Sequence, residues 1–476
     1  MRSEKSKSSL WLILPLFLTV SCNYQLEVHQ KRDQGNVIST ATPVPYTQMF
    51  ESMPFQQTSG DFLGNCIAID PSDGSRYVAS ILSSGSITIG SNTYISGGYD
   101  KITLTKQDRS GTLLWSKFID GNNDGPVTIF QGLSSCLTLV DGKVFLAFLS
   151  QTSSVTIDSF TDTKIGALDS YLVGFNANNG ELTYHRHFGQ TGQVAEIVSI
   201  ASSGNTVYWA GVTQDDSLPG PSASCSSGCI SYGAIDVANE ENLWERRWGG
   251  GVSFGFSIAT GKNQDLYLAG IYQSSGIDIG TGSTFDSPTS TSSFLEKVSA
   301  LDGSPVWIRR VTATTGVAES LSVQTDDHSN AYFTTMTDDT SLDFEGQTVP
   351  VISNSGLITS YDSDGNFRWA TDFPENIVPA QSIYDSKYKK LFVVDNSSDS
   401  TSMPIMSELD PNDGTILKTI EGTSISGGIL KGMTIALDQN NSSFMIIATL
   451  SGSVEIDGTT YTASSSMNQT VFFEWK

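Results

Sequence analysis

The segment Leu301-Asp302-Gly303-Ser304-Pro305-Val306-Trp307 places a turn glycine four residues before a tryptophan on an apolar strand. Related segments recur along the chain, and the residues at the tryptophan position are Trp115, Tyr184, Trp244, Trp307, Trp369 and Lys418. Their successive separations are 69, 60, 63, 62 and 49 residues. Self-similarity at a nearly fixed period indicates a chain built from repeated units that bury their apolar faces against one another.

The two ends of the chain carry complementary parts of one repeat. Phe50 lies 65 residues before Trp115, but the segment around it lacks the strand that should precede it. A suitable apolar strand stands at the other end of the chain, in residues 471–476. Pairing of the two ends would remove exposed sheet edges, as a closed ring of repeats requires.

Each repeat can be divided into four short strands, which is the pattern of a β-propeller blade. In the first complete repeat the strands are expected at residues 102–105, 113–118, 136–140 and 144–148, with residues 154–158 as an outer addition. Apolar stretches are short and alternate with polar residues, which is typical of strands. The sequence therefore predicts an all-β, seven-bladed β-propeller over residues 46–476, in which the C-terminal strand completes the N-terminal blade.

The first 45 residues are predicted to lie outside this fold. Residues 1–21 combine basic residues with an apolar run at 10–20 that is too short to span a membrane, as in a secretory signal. Cys22 follows Ser21 in a sequence that resembles a bacterial lipobox, which makes Cys22 a candidate for lipid modification. Residues 22–45 would then be a flexible tether to the cell envelope, with the outer membrane as the expected membrane. The alternative is an exported protein that is cleaved nearby.

The charge of the chain restricts its partners. The formal net charge is −24. A field of this sign repels phosphate backbones, so nucleic acid is not an expected partner.

Four of the five cysteines lie within the predicted propeller. Cys225 and Cys229 are close enough in sequence for a local disulfide, whereas a zinc site would need further ligands in a chain that has four histidines. We predict the disulfide. Cys66 and Cys136 occupy the same position in successive repeats and are predicted to be two buried free thiols.

These motifs resemble a known bacterial repeat. The segment 301–307, the strand pair 258–259 and 267–270, and the closing segment 276–280 resemble the β-propeller repeat of secreted and lipid-anchored bacterial proteins. The Gly-x-x-x-Trp strand is also similar to the blades of pyrroloquinoline-quinone-type propellers. The resemblance implies the fold and leaves the function open, because such repeats serve as scaffolds in proteins with many roles.

No set of residues in the sequence identifies a reaction, and we predict no catalytic residue, metal or cofactor. Nucleophile-elbow, zinc-protease and phosphate-loop motifs are absent from the sequence. His185 and His187 are interpreted as a polar strand face, and the Asp-rich turns at 362–365 and 410–414 as hairpin turns instead of calcium loops. The alternative function is a carbohydrate-active or quinone-dependent enzyme that uses the central channel of the ring.

Four cations stand two residues beyond the repeat anchor, at Lys117, Arg186, Arg246 and Arg309. If this strand face lines a groove, the cations would form a basic arc for an anionic glycan or an acidic segment of a partner. Alternatively, each cation lies between neighbouring blades, with its stem on aromatic rings and its charge near a carboxylate.

The predicted function is that of a non-catalytic interaction scaffold for an envelope or surface protein, or a glycan. The long segments 215–229 and 281–293 are the expected contact regions, because binding residues concentrate on loops of a rigid support. A tandem array of β-sandwiches, as in adhesins, is a third possibility. Pairing of residues 471–475 with the N-terminal repeat would exclude it.

Overall fold

The computed structural model describes residues 48–51, 55–59, 61–130, 135–221, 224–249, 253–262, 265–273, 277–278, 284–285, 291–397, 403–440, 443–456, 458–463 and 469–475. The predicted signal segment, Cys22, the tether and most of the segment 281–293 lie outside the described residues. Strands and turns make up the described residues, and none of them forms a helix that could cross a membrane. The all-β prediction is confirmed.

The strands follow one another closely along the chain. The first nineteen are β1 (Gln48–Glu51), β2 (Phe55–Ser59), β3 (Phe62–Ile69), β4 (Arg76–Leu82), β5 (Ser86–Ile89), β6 (Asn92–Ile95), β7 (Lys101–Gln107), β8 (Leu113–Gly121), β9 (Val127–Thr128), β10 (Leu137–Val140), β11 (Lys143–Ser150), β12 (Ser154–Ile157), β13 (Phe160–Thr163), β14 (Asp169–Asn176), β15 (Leu182–Phe188), β16 (Ala195–Ser203), β17 (Thr206–Thr213), β18 (Cys229–Asp236) and β19 (Glu241–Trp248). The others are β20 (Ser253–Thr260), β21 (Asp265–Tyr272), β22 (Ile277–Asp278), β23 (Thr284–Phe285), β24 (Ser292–Ser299), β25 (Pro305–Ala313), β26 (Ala318–Thr325), β27 (Ala331–Thr337), β28 (Ser341–Phe344), β29 (Gln347–Pro350), β30 (Ser355–Tyr361), β31 (Phe367–Asp372), β32 (Ile377–Asp385), β33 (Lys390–Ser397), β34 (Met403–Leu409), β35 (Ile416–Asp438), β36 (Ser443–Ile456), β37 (Thr459–Thr462) and β38 (Gln469–Trp475).

Five successive units share one topology, an antiparallel meander of four strands in chain order. The first to fifth units are β3-β4-β7-β8, β10-β11-β14-β15, β16-β17-β18-β19, β20-β21-β24-β25 and β26-β27-β30-β31. The predicted division into blades is wrong, because β7 and β8 belong to the first unit whereas β10 and β11 begin the second. The outer addition is present as β12, which pairs with β8. The sequence motif marked the hairpin at the end of each unit and not its beginning.

In four of the five units a tryptophan at the repeat anchor docks the unit onto the next. Trp244 on β19 donates from Nε1 to the carbonyl oxygen of Ala300, in the last turn of the fourth unit, at 3.0 Å. The same contact joins Trp115 to Ala177 at 3.2 Å, Trp307 to Ser363 at 3.1 Å and Trp369 to Pro411 at 3.2 Å. Gly303 in the turn has a φ of 70°, and a Cβ on it would lie 2.6 Å from the Trp244 ring. The turn glycine is therefore needed both for the backbone and for the close approach of the indole.

Eight of the remaining strands form one sheet in the order β1-β38-β36-β35-β34-β33-β32, with β37 paired to β36. N-terminal β1 pairs antiparallel with C-terminal β38, from Gln48 opposite Trp475 to Glu51 opposite Phe472. The expected pairing of the chain ends is therefore observed. A tandem array of β-sandwiches, in which the ends would not meet, is excluded.

The first strands of the units lie side by side. β3, β10, β16, β20, β26 and β32 follow one another in this order, and β35 lies beside both β32 and β3. Two ion pairs join the first unit to the last sheet, Arg76 to Glu474 at 2.8 Å and Arg109 to Asp438 at 2.8 Å. Arg76 and Glu474 are both buried, so their charges stabilise the contact only as long as both are present.

Several units carry an extra hairpin between their second and third strands, and this hairpin pairs with the preceding unit. The hairpin β12-β13 of the second unit extends the first unit at β8, and β28-β29 of the fifth unit extends the fourth at β25. In the last sheet, the end of β36 and β37 add to β35 in the same way, and β5-β6 of the first unit pairs with β2. Each hairpin thus belongs to one unit in sequence and to its neighbour in sheet pairing.

Candidate functional site

The connections between the second and third strands are the longest connections within the units. We call them the insertion face, which comprises the hairpins β5-β6, β12-β13, β28-β29 and β36-β37 and the connection 214–228 of the third unit. Among the described sheets, β6, β13, β29 and β37 are edge strands, and most of their side chains are exposed or half-buried. An edge strand offers unpaired main-chain groups to an extended partner segment.

The connection 214–228 of the third unit is braced from within. Cys225 and Cys229 form a disulfide with a Cα–Cα distance of 5.0 Å. The buried Arg247 guanidinium donates to the carbonyl oxygens of Leu218 and Asp216, both at 3.0 Å, and lies 3.3 Å from the Cys225 sulfur. Ser226 and Ser227 remain exposed at the end of this connection. The loop is therefore held in place while it presents polar groups to solvent.

The first strands of the units are joined by side chains that follow a β-bulge. β3, β16, β20, β26 and β32 shift register at an equivalent place. The side chain after the bulge then reaches the next unit: Ser199 accepts a hydrogen bond from the Ile258 amide at 3.2 Å, and Ser257 accepts one from the Val323 amide at 3.2 Å. A bulge re-aims a side chain, and here it serves to tie neighbouring first strands together.

Cys66 occupies this position after the bulge in the first unit, and its partner is Cys136. The two cysteines form a disulfide with a Cα–Cα distance of 5.9 Å. The prediction of two buried free thiols is wrong. The reason is that the first strands of successive units are neighbours, which brings equivalent positions within the distance that a disulfide requires.

Two carboxylic acids on the first strands titrate near neutral pH. Glu196 on β16 and Glu319 on β26 both lie two residues before the bulge. Burial raises the pKa of Glu196 to about 7, and burial together with the charge of Asp338 raises the pKa of Glu319 to about 7. A complete unit, with Phe254 at the equivalent place on β20, stands between them. Nothing in their sequence context singled them out, because both belong to ordinary alternating strands.

Aromatic rings meet beside these first strands. Phe256 is the bulge residue of β20, and its ring centroid lies 5.8 Å from that of Phe130 and 6.2 Å from that of Phe254. Phe130 follows β9 at the start of the second unit, so the contact joins units that are not sequential neighbours. Aromatic packing thus connects the second unit to the fourth beside the bulge of β20.

The four cations of the predicted basic arc each contact the following unit. Lys117 binds Asp158 at 2.7 Å, and Arg186 pairs with Glu245 while lying over the Phe188 ring at 4.6 Å. Arg246 donates to the Asp302 carbonyl at 3.1 Å, and Arg309 donates to the Gly365 carbonyl at 2.6 Å. The structure gives them separate partners, which is the arrangement between blades considered as the alternative. Anion capture by the arc stays a prediction.

Substitution of these cations is expected to reduce stability. We predict that Arg186→Gln and Arg246→Gln each lower the free energy of unfolding by about 1 kcal/mol, because half-exposed charged contacts are worth little more. Thermal unfolding measures the effect, with the exposed Lys418→Gln as control. An unchanged unfolding midpoint combined with lost binding of an anionic polysaccharide would instead favour the basic arc.

The Asp-rich turns use their carboxylates within the turn itself. Asp362 accepts hydrogen bonds from the amides of Asp364 at 3.0 Å and Asn366 at 2.8 Å, and Asp410 accepts one from the Asn412 amide at 2.9 Å. These are Asx turns, as the hairpin interpretation expects. Within the part of the chain that the structure describes, no three His, Cys, Asp or Glu side chains are grouped so as to hold a metal ion.

The two histidines of β15 have different surroundings. The exposed His185 ring lies 4.3 Å from Phe160, whereas His187 lies between the carboxylates of Asp162 and Asp169. Strand alternation correctly placed both on one face and missed the two acidic partners. Their positions 25 and 18 residues earlier in the sequence gave no local signal.

Comparison with known sequences gives no family for the chain. No family model matches it, and no curated protein matches it either.

Comparison with solved structures gives a general likeness only. A chain of hydrazine synthase from Kuenenia stuttgartiensis is 11% identical with a TM-score of 0.45, over 88% of this chain and 98% of that one. The β-propeller domain of Cps50 (Swd1) from Myceliophteria thermophila is 7% identical with a TM-score of 0.45, over 90% and 99%. Quinohemoprotein alcohol dehydrogenase ADHIIG from Pseudomonas putida is 9% identical with a TM-score of 0.38, over 89% and 76%. At such identities and scores, no argument about activity follows from them.

Proposed function

We propose that the chain is an exported, lipid-anchored, seven-bladed β-propeller that serves as a non-catalytic interaction scaffold at the bacterial cell envelope. In this proposal the five units are five blades, and the eight-stranded sheet supplies two more. The division falls within β35, whose first part pairs with β34 and whose last part pairs with β36. Pairing of β1 with β38 and the buried Arg76–Glu474 ion pair support closure of the ring.

The observation that supports the scaffold function is that the insertion face is held rigidly by the surrounding structure. Its hairpins are clasped to neighbouring units, and its longest described loop is braced by a disulfide and by Arg247. Exposed groups on such a support lose little conformational entropy when they bind a partner. The edge strands β6, β13, β29 and β37 add main-chain donors and acceptors for an extended segment. The proposed partner is an envelope or surface protein, or a glycan.

Attachment to the membrane is proposed through Cys22. Residues 23–47 separate this cysteine from β1, which is enough chain to hold the ring away from the bilayer. Stable anchoring takes more than one acyl chain, and a lipid-modified N-terminal cysteine supplies several. The strong negative charge keeps nucleic acid an unfavourable partner.

The scaffold function can be tested by site-specific photo-cross-linking in intact cells. A photoreactive amino acid at the exposed Ser227 of the insertion face is expected to capture the same partner repeatedly, since the loop is held in one place. The exposed Asn178, in the last turn of the second unit, is the matched control and is expected to capture none. Mass spectrometry of the products distinguishes a protein from a glycan.

The anchor is tested in the same cells with Cys22→Ala. We expect this variant to move from the membrane fraction to the soluble fraction and to lose labelling by a fatty-acid analogue, while it keeps the fold. Equal capture from Ser227 and Asn178 would argue against the insertion face. Capture from neither, together with a cofactor that stays bound through purification, would favour the enzyme that uses the central channel.

A further inference from the structure

His187 is held between two carboxylates through both of its ring nitrogens. Its Nε2 lies 2.8 Å from Oδ2 of Asp169, and its Nδ1 lies 2.9 Å from Oδ2 of Asp162. The ring stacks on Tyr171 with a centroid distance of 4.3 Å. The imidazole is mostly buried, with 11% of its side chain exposed, so water does not substitute readily for either partner.

The two acidic partners fix the protonation state of the ring. Asp169 is fully buried and also accepts hydrogen bonds from the amides of Ile165 at 2.7 Å and Gly166 at 2.8 Å, as an ionised carboxylate does. Although burial opposes its ionisation, the hydrogen bonds from His187, Ile165 and Gly166 lower the pKa of Asp169. A carboxylate can only accept, so both nitrogens of His187 donate at once only when the ring is an imidazolium.

This imidazolium connects the second unit to a hairpin that pairs with the first unit, and the ring contact between Phe160 and His185 at 4.3 Å joins the same two parts. Asp169 and His187 belong to β14 and β15 of the second unit, whereas Asp162 belongs to the hairpin β12-β13, which extends the first unit at β8. The tip of the same hairpin is tied to the first unit by the Lys117–Asp158 ion pair at 2.7 Å. We infer that His187 is a proton-operated latch: when protonated it fastens the hairpin β12-β13 to its own unit, and when neutral it releases that side of the hairpin.

The sign of the pH dependence follows from the groups that face the ring. These are Asp162 from β13 and Asp169 and Tyr171 from β14; Lys164 points its amino group at the Gln151 carbonyl instead, and Arg186 on the same strand pairs with Glu245. Burial alone would favour the neutral ring, but hydrogen bonds and charges of Asp169 and Asp162 outweigh it and raise the pKa of His187 above 6.5. Burial raises the pKa of Tyr171, which stays neutral. The latch is therefore complete below the unfolded value of about 6.5 and is lost as the pH rises through the raised folded value.

Hydrogen exchange between pH 6 and pH 9 tests the latch directly. The readout is the opening equilibrium constant of the β12-β13 amides, obtained from their exchange rates after correction for intrinsic exchange. This constant is divided by the one for the β28-β29 amides, which form an equivalent hairpin. We expect this ratio to rise roughly tenfold across the range, as the loss of one charge-assisted hydrogen bond implies. A ratio that stays constant would overturn the inference.

Two variants separate the latch from general stability. His187→Gln and Asp162→Asn should both remove the pH dependence of the ratio, because either change eliminates the imidazolium contact to the hairpin. Asp158→Asn is the control, since it weakens the same hairpin by removing the ion pair with Lys117, which does not contact the His187 ring. In this variant the ratio should depend on pH as it does in the native chain. If His187→Gln fails to fold, the titration of His187 by NMR decides: a pKa above the ordinary histidine value of about 6.5 supports the latch, and an equal or lower one overturns it.

Discussion

Removal of the Cys66–Cys136 disulfide, by the double substitution Cys66→Ala and Cys136→Ala, is expected to lower the free energy of unfolding by about 4 kcal/mol. The bridge joins residues that are 70 positions apart and ties the first strands of two units to each other. A cross-link that closes so long a loop restricts the unfolded chain strongly, and the cost of removing it grows with the logarithm of the loop length.

The second disulfide provides a matched control within the same chain. Cys225 and Cys229 are only 4 positions apart, so Cys225→Ala with Cys229→Ala should cost about 2 kcal/mol by the same loop entropy. Urea unfolding followed by tryptophan fluorescence measures both variants, and mass spectrometry verifies the remaining disulfide. If removal of the Cys225–Cys229 disulfide lowers the free energy of unfolding more than removal of Cys66–Cys136, then the link between the first strands is not the more stabilising of the two disulfides.

The sequence predicted which consecutive strands form hairpins. It predicted contacts between distant segments only where the repeat showed which part of a unit was missing. The turn before Trp307 predicted a hairpin, because Asp-Gly turns and alternating apolar residues are local signals. Pairing of residues 471–475 with the N-terminal segment could be foreseen since one end lacked what the other carried. The division into blades failed because hairpin signals do not say which of two successive hairpins share a sheet.

The residues of the candidate site depended on contacts between units, which a single sequence does not display. Cys66 and Cys136 were recognised as equivalent positions, yet their bonding required knowing that first strands are adjacent. The cations Arg246 and Arg309 were placed on one strand face by alternation, but their carbonyl partners lie 56 residues further along the chain. The acidic neighbours of His187 likewise come from other strands.

Truncation of the anchor tryptophan of the third unit, Trp244→Ala, is expected to cost about 4 kcal/mol of stability. Its side chain is 8% exposed, packs edge-on against Tyr232 at 6.0 Å, and donates to the carbonyl oxygen of Ala300 in the fourth unit. The substitution therefore opens a cavity at the contact between two units and also leaves a carbonyl group without its donor. Thermal and urea unfolding measure the loss.

The neighbouring substitution Leu243→Ala separates loss of the contact between units from the general effect of placing an alanine on β19. Leu243 precedes the tryptophan on the same strand but is 49% exposed, so its removal should change stability by less than about 0.5 kcal/mol. Trp244→Phe should fall between the two, because the ring still fills most of the site while the donor to Ala300 is lost. Comparable losses for Leu243→Ala and Trp244→Ala would mean that the indole does not hold the units together. A graded series would show instead that the anchor tryptophan is the contact that stacks one four-stranded unit on the next.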